Sequence, residues 1–170
     1  MKYFLYKKNT GFSLLELLTV IAIIGLLASV VLSGLPTARV RSRTAQRITD
    51  MRLVQNALEL YYANNHSYPY TWSIWRSVCS SWGGFAADFV IPGLTPTYMA
   101  TIPVDPQTDA AGDKNCYRYR SDGVDYAFSV YDVTELRGSG EPNYATYPEF
   151  LDPANQYTSW KVYSPGGLYW

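Results

Sequence analysis

Apolar residues run from Phe12 to Leu35 without a polar face, interrupted only by Glu16 and by small or hydroxyl side chains. As a helix, these 24 residues would reach roughly 36 Å, enough to cross the hydrocarbon core of a bilayer. Gly34 and Pro36 mark an expected helix break, since proline lacks a backbone N–H and its ring crowds the preceding turn. Apolar positions then recur at Val40, Ile48, Met51, Leu53 or Val54, Leu58 and Tyr61 or Tyr62. That three-to-four spacing predicts an amphipathic helix to about Ala63. Asn64-Asn65-His66-Ser67-Tyr68-Pro69 supplies the turn formers and the proline that end it.

The pattern is different further on. Residues 70–104, with Trp72, Trp75, Trp82 and Gly83-Gly84, read as a packed irregular connection containing a short helix. Cys116-Tyr117-Arg118-Tyr119-Arg120 and Asp125-Tyr126-Ala127-Phe128-Ser129-Val130-Tyr131 alternate large apolar with polar residues about a Ser121-Asp122-Gly123-Val124 turn. This predicts a β-hairpin. Lys161-Val162-Tyr163 offers a further strand near the end of a proline- and tyrosine-rich tail.

Charge divides the chain. Net charge is zero, but the three lysines of residues 1–11 leave 11 basic and 14 acidic residues beyond them. Five arginines (Arg39, Arg41, Arg43, Arg47, Arg52) cluster just after the apolar run, and residues 66–170 carry six basic against 11 acidic side chains. A basic stem and an acidic head can attract staggered copies of one chain, with Arg39, Arg43 and Arg47 as candidate contacts; meeting lipid head groups is the other use for these arginines. The negative head disfavours non-specific nucleic-acid binding, although tyrosine and tryptophan can stack on bases. With one histidine, in a polar turn, no Ser-His-Asp set, zinc spacing or phosphate-cradling loop is present, so an enzyme is not expected.

The N-terminal junction carries the most specific signal. Lys7-Lys8-Asn9-Thr10-Gly11 is followed by Phe12-Ser13-Leu14-Leu15-Glu16 and the apolar run. A carboxylate in such a helix costs about 2.5–3.5 kcal/mol on insertion scales and calls for a partner. This junction resembles the class III signal of type IV prepilins and of type II secretion pseudopilins. The stretch from Asn56 to Pro69 and the Ser-Asp-Gly turn are also similar to that family. The resemblance implies cleavage after Gly11, N-methylation of Phe12, and pairing of Glu16 with the N-terminal amine of a neighbouring subunit. Lys2, Lys7 and Lys8 against five later arginines would invert the protein by the positive-inside rule; the resemblance instead places the leader in the cytoplasm and the head outside.

The expected fold class is α+β, a pilin-like lollipop in which a long helix packs on a small antiparallel sheet. The expected parts are a leader (1–11), a membrane and assembly helix (12–35), its amphipathic continuation (36–65) and a globular head (66–170). Cys79 and Cys116, an even pair in an exported domain, favour a disulfide over two free thiols. Asp105, Asp109 and Asp113 are weak calcium candidates, a solvated turn being the favoured reading; no cofactor is otherwise expected. The resemblance implies as partners copies of the chain, other pilins, a prepilin peptidase and an assembly platform with its ATPase. The expected role is a structural subunit of a pilus-like filament, membrane-anchored first and then extracellular or periplasmic. A secretion pseudopilin or minor pilin is the alternative, and a membrane-anchored, non-polymerising glycan-binding module is the alternative of another class.

Overall fold

The computed structural model describes residues 11–136, 147–154 and 158–170. The expected leader, apart from Gly11, and the tail around Pro142 lie outside the described residues. Two compact units divide at Val40 and Arg41.

Helix α1 spans Leu14–Asn65. It starts with a capping box. Ser13 Oγ accepts from the Leu15 N–H at 3.3 Å, and Glu16 Oε2 accepts from the Ser13 N–H at 2.9 Å. The break expected at Gly34 and Pro36 is not present, for Pro36 lies inside the helix. One proline removes one intrahelical hydrogen bond, and long runs of helix-compatible residues on both sides carry the ladder past it. The helix ends where His66 turns left-handed at φ 54°, exposed to solvent and with its N–H still donating to Tyr62 O at 2.8 Å.

In the first unit, the apolar side chains from Phe12 to Leu35 are exposed. In the second, α1 buries Ile48, Met51, Val54, Ala57 and Leu58, one face at helical spacing. Burying a side chain such as Met51 or Leu58 contributes about 1.5–3 kcal/mol.

These residues share a core with a four-stranded antiparallel sheet in the order β1 (Arg76–Ser77), β2 (Cys116–Ser121), β3 (Tyr126–Tyr131), β4 (Trp160–Tyr163). The hairpin β2–β3 pairs Cys116 with Tyr131 through to Ser121 with Tyr126, about the turn read from the sequence. Tyr117, Tyr119, Tyr126, Phe128, Val130, Trp160 and Val162 supply the sheet's share of that core. Residues 70–104 are largely irregular, with short 3-10 turns at Ser80–Trp82 and Ala87–Phe89. They also hold the two-residue β1, which the sequence pattern did not show.

The second face of the sheet departs from simple alternation. Arg118, Ser129 and Lys161 are cross-strand neighbours on that face, and all three are buried. The chain covers them itself. Arg118 lies over the rings of Trp75, Tyr131 and Trp82, at 4.1, 4.1 and 4.7 Å from the centroids. Lys161 Nζ lies 3.0 Å from Asp152 Oδ1 and donates to the carbonyls of Leu168 and Trp170 at 2.9 and 3.0 Å. Leu151 makes an isolated bridge to Trp160 on the outer side of β4.

Candidate processing and assembly site

Gly11, Phe12 and Ser13 precede the helix in non-helical conformation, and Phe12 is 91% exposed. A Cβ built on Gly11 would meet nothing within 4 Å. The chain itself therefore does not require glycine there, and any such requirement comes from whatever handles the junction. Glu16 lies in the first turn, where a carboxylate complements the helix dipole. Its side chain is engaged with the Ser13 N–H, so the acid is partly satisfied within its own chain. The Ser-x-x-Glu spacing before an apolar run was legible as a capping signal, and sequence reasoning overlooked it. By length and composition, α1 is long and apolar enough to cross a membrane.

The arginines after the apolar run do not share one role. Arg47 is fully buried, and its Nε and Nη2 donate to Asp105 Oδ2 and Oδ1 at 2.5 and 3.1 Å. Its Nη1 donates to Glu135 Oε2 at 2.8 Å. Arg43 also bonds Glu135. The expectation that Arg47 reaches another subunit is thereby corrected, since it is fully buried on acids of its own chain; Arg43, partly exposed, shares the Glu135 partner. Arg39 is exposed, with no ion-pair partner among the described residues.

Burial alone would weaken the charge on Arg47, but the bonds and fields of Asp105 and Glu135 outweigh it and raise its pKa. Burial pushes Glu135 upward, yet Arg43 and Arg47 hold it below the usual carboxylate value. Asp50 is shifted upward, chiefly by burial and further by Asp105, against the pull of the Tyr117 hydroxyl that donates to it at 2.9 Å. Arg118, whose Nε donates to Ser129 Oγ at 2.9 Å, is brought down by burial to about 10.

Asp105 is committed to Arg47 and is not grouped with the exposed Asp109 or the half-buried Asp113. Among the described residues no group of three or more His, Cys, Asp or Glu could hold a metal. Cys79 and Cys116 form a disulfide with a Cα–Cα distance of 6.1 Å, and both are fully buried. It ties the irregular segment to the start of β2.

Residues 6–32, which span this junction, match the family described as the prokaryotic N-terminal methylation motif. By this motif and the relatives that share it, the chain is similar to the type IV pilin and pseudopilin family. The chain is 41% identical over 64 residues to the type II secretion system core protein G of Escherichia coli K12, covering 38% of the chain and 44% of the relative. It is 38% identical over 65 residues to the protein of the same name from Vibrio cholerae, covering 38% and 44%. A protein G from Pseudomonas aeruginosa aligns over 135 residues at 24% identity, 75% of this chain and 84% of the relative. The first two matches thus span less than half the length of those relatives. No solved structure gives a significant match. The pilin-family motif and its apolar helix suit a membrane-anchored precursor.

Proposed function

We propose that this chain is a structural subunit of a pilus-like filament, made as a membrane-anchored precursor with its leader inside and its head outside. A prepilin peptidase cuts between Gly11 and Phe12 and methylates the Phe12 amine. The subunit then leaves the membrane and polymerises through α1 with copies of itself and related pilins, driven by an assembly platform and its ATPase. Glu16 exchanges its capping bond for the amine of a neighbouring subunit. Opposite charges near 4 Å attract by about 4 kcal/mol at an effective dielectric of 20, enough to offset the insertion cost of the acid.

One coincidence carries this reading. The methylation motif, the exposed Gly11–Phe12 junction, Glu16 in the first turn and an apolar helix surface exposed on all sides occur at one place. An apolar surface of that extent has to be covered by lipid or by other helices. The names of the relatives support a secretion pseudopilus as the second reading. Nothing in the comparisons favours a non-polymerising glycan-binding module.

Mass spectrometry of the mature chain tests processing, and electron microscopy of sheared surface material, with and without the gene, tests assembly. The expected result is an N-terminal methylated Phe12 and filaments that depend on this chain. A chain retaining residues 1–11 in a host with an active peptidase would overturn the reading.

A further inference from the structure

The C-terminal end of α1 leads into a segment that displays apolar side chains on a fixed backbone. Tyr70, Trp72 and Ile74 point outward, Trp72 being 69% exposed, while Thr71 between them is fully buried. Thr71 donates through both its N–H and its Oγ1 to Ser121 O, each at 3.1 Å, and its Oγ1 accepts from the Ser121 N–H at 2.8 Å. The Ser73 N–H donates to the same carbonyl at 3.2 Å. Trp72 and Ser73 both adopt left-handed backbone, φ 54° and 55°, which is costly for residues with a Cβ and tolerated only where the surroundings enforce it. Strain is thus spent on turning a tryptophan away from the core.

Val124, 74% exposed, extends the surface from the β2–β3 turn, and the Tyr70 ring lies against Gly123 of that turn. The rings of Tyr70 and Trp72 are 5.3 Å apart and tilted by 54°. The same turn brings acids to the rim. Asp122 is exposed and Asp125 half-exposed, and neither has an ion-pair partner among the described residues. Asp122 accepts only from backbone N–H groups of its own turn, whereas Asp125 is held by Ser164 and Gly166. An apolar, aromatic platform beside the exposed Asp122 suits a cationic apolar segment, with arginine the fitting cation because its guanidinium stacks on rings and pairs with acids. This chain already makes such stacks at Arg52–Phe150, Arg76–Phe85 and Arg120–Trp170.

The complementary segment is also in this sequence. Arg39 and Arg41 are exposed and have no ion-pair partner among the described residues, whereas Arg43, Arg47 and Arg52 do. They adjoin Leu35, Ala38 and Val40 on the same helix. From Arg41 to Asn65 the helix axis rises roughly 36 Å, which separates Arg41 from the segment that follows the helix in the same copy.

We propose that the Tyr70–Trp72–Ile74–Val124 surface receives the Arg39–Arg41 stretch of a second copy of this chain. The inference rests on the filament reading above and names one of its contacts. Because the two surfaces differ, the contact is heterologous, and its repetition gives an open polymer rather than a closed dimer.

The test uses the full chain in a host lacking its native copy, with sheared filaments as the readout. Arg41→Glu and Asp122→Arg should each lower filament yield about tenfold, the size of one lost interfacial contact, and the combination should recover it. Trp72→Cys with Arg41→Cys should give a ladder of cross-linked subunits in assembled filaments on oxidation; the native Cys79 and Cys116 are bonded to each other and leave no free thiol among the described residues. Filaments at wild-type yield for both single charge variants, with no ladder, would overturn this contact and leave the filament reading standing. Single variants that fail without recovery in combination would overturn the pairing. Absence of filaments from the unaltered chain would remove both.

Discussion

Arg47 on α1 and Asp105, 58 residues further along, form an ion pair with no exposed side-chain surface on either partner. A buried pair is not in itself a large source of stability, but breaking it from one side strands a charge away from water. Arg47→Ala is therefore expected to destabilise the head by about 3–5 kcal/mol. Arg47→Met combined with Asp105→Leu should cost far less than the two single changes together. Urea denaturation of the detergent-solubilised chain, followed by tryptophan fluorescence, measures the cycle. Additive losses would refute the coupling.

The same network gives an acid dependence. The folded pKa of Glu135 lies below its unfolded value, so its contribution is present above the unfolded value, near 4.5, and fades as pH falls through the folded one. Glu135→Gln should lower stability at pH 7 and flatten the decline between pH 5 and lower values, read as the urea midpoint against pH. A slope unchanged by the substitution would exclude Glu135 as its source.

Asp50 has the opposite sign. Its folded pKa is raised, so the fold favours its protonated form and the charged form counts against stability above the folded value. Asp50→Asn keeps an acceptor for the Tyr117 hydroxyl and removes the charge near Asp105. It is expected to raise the urea midpoint at pH 7, with the gain shrinking in acid. A lower midpoint at pH 7 would contradict this account.

Removing the disulfide with Cys79→Ser and Cys116→Ser should cost about 4 kcal/mol in the chain-entropy model for a closed loop of this length. The pair is 37 residues apart in sequence and encloses both 3-10 turns of the irregular segment, while β1 lies just before it. Proteolysis should then cut first within residues 80–115. Initial cuts elsewhere would show that the bond does not hold that segment.

At the N-terminus, Gly11→Leu should leave an uncut precursor on a gel, since the chain offers no steric objection of its own and any defect reports on processing. Glu16→Ala should be cut as usual yet give few filaments. Normal filament yield from that variant would sink the role given to the acid.

The elements with regular periodicity were legible in advance. The 3.6-residue spacing at Ile48, Met51, Val54 and Leu58 and the two-residue alternation on either side of Asp122-Gly123 predict α1 and the β2–β3 hairpin. β1 was not, because two residues, Arg76 and Ser77, carry no period. Arg47 read as part of a basic surface because a lone arginine beside an apolar stripe normally points to water. Its burial depends on acids 58 and 88 residues away, a coincidence of loops that no local pattern encodes. The same holds for Arg118 and Lys161, whose polar positions imply a wet sheet face until residues 75–82 and 165–170 cover it. The junction at Gly11–Phe12 was readable because its information is contiguous.

The two ends of the sheet have a further consequence when copies of the head meet. β1 is only two residues long and begins with a charge, and β4 meets the Leu151 bridge on its outer side. Short, charged or occupied edges are poor templates for a foreign strand. Heads brought side by side are thereby steered away from cross-strand aggregation, so close contact between copies need not end in fused sheets.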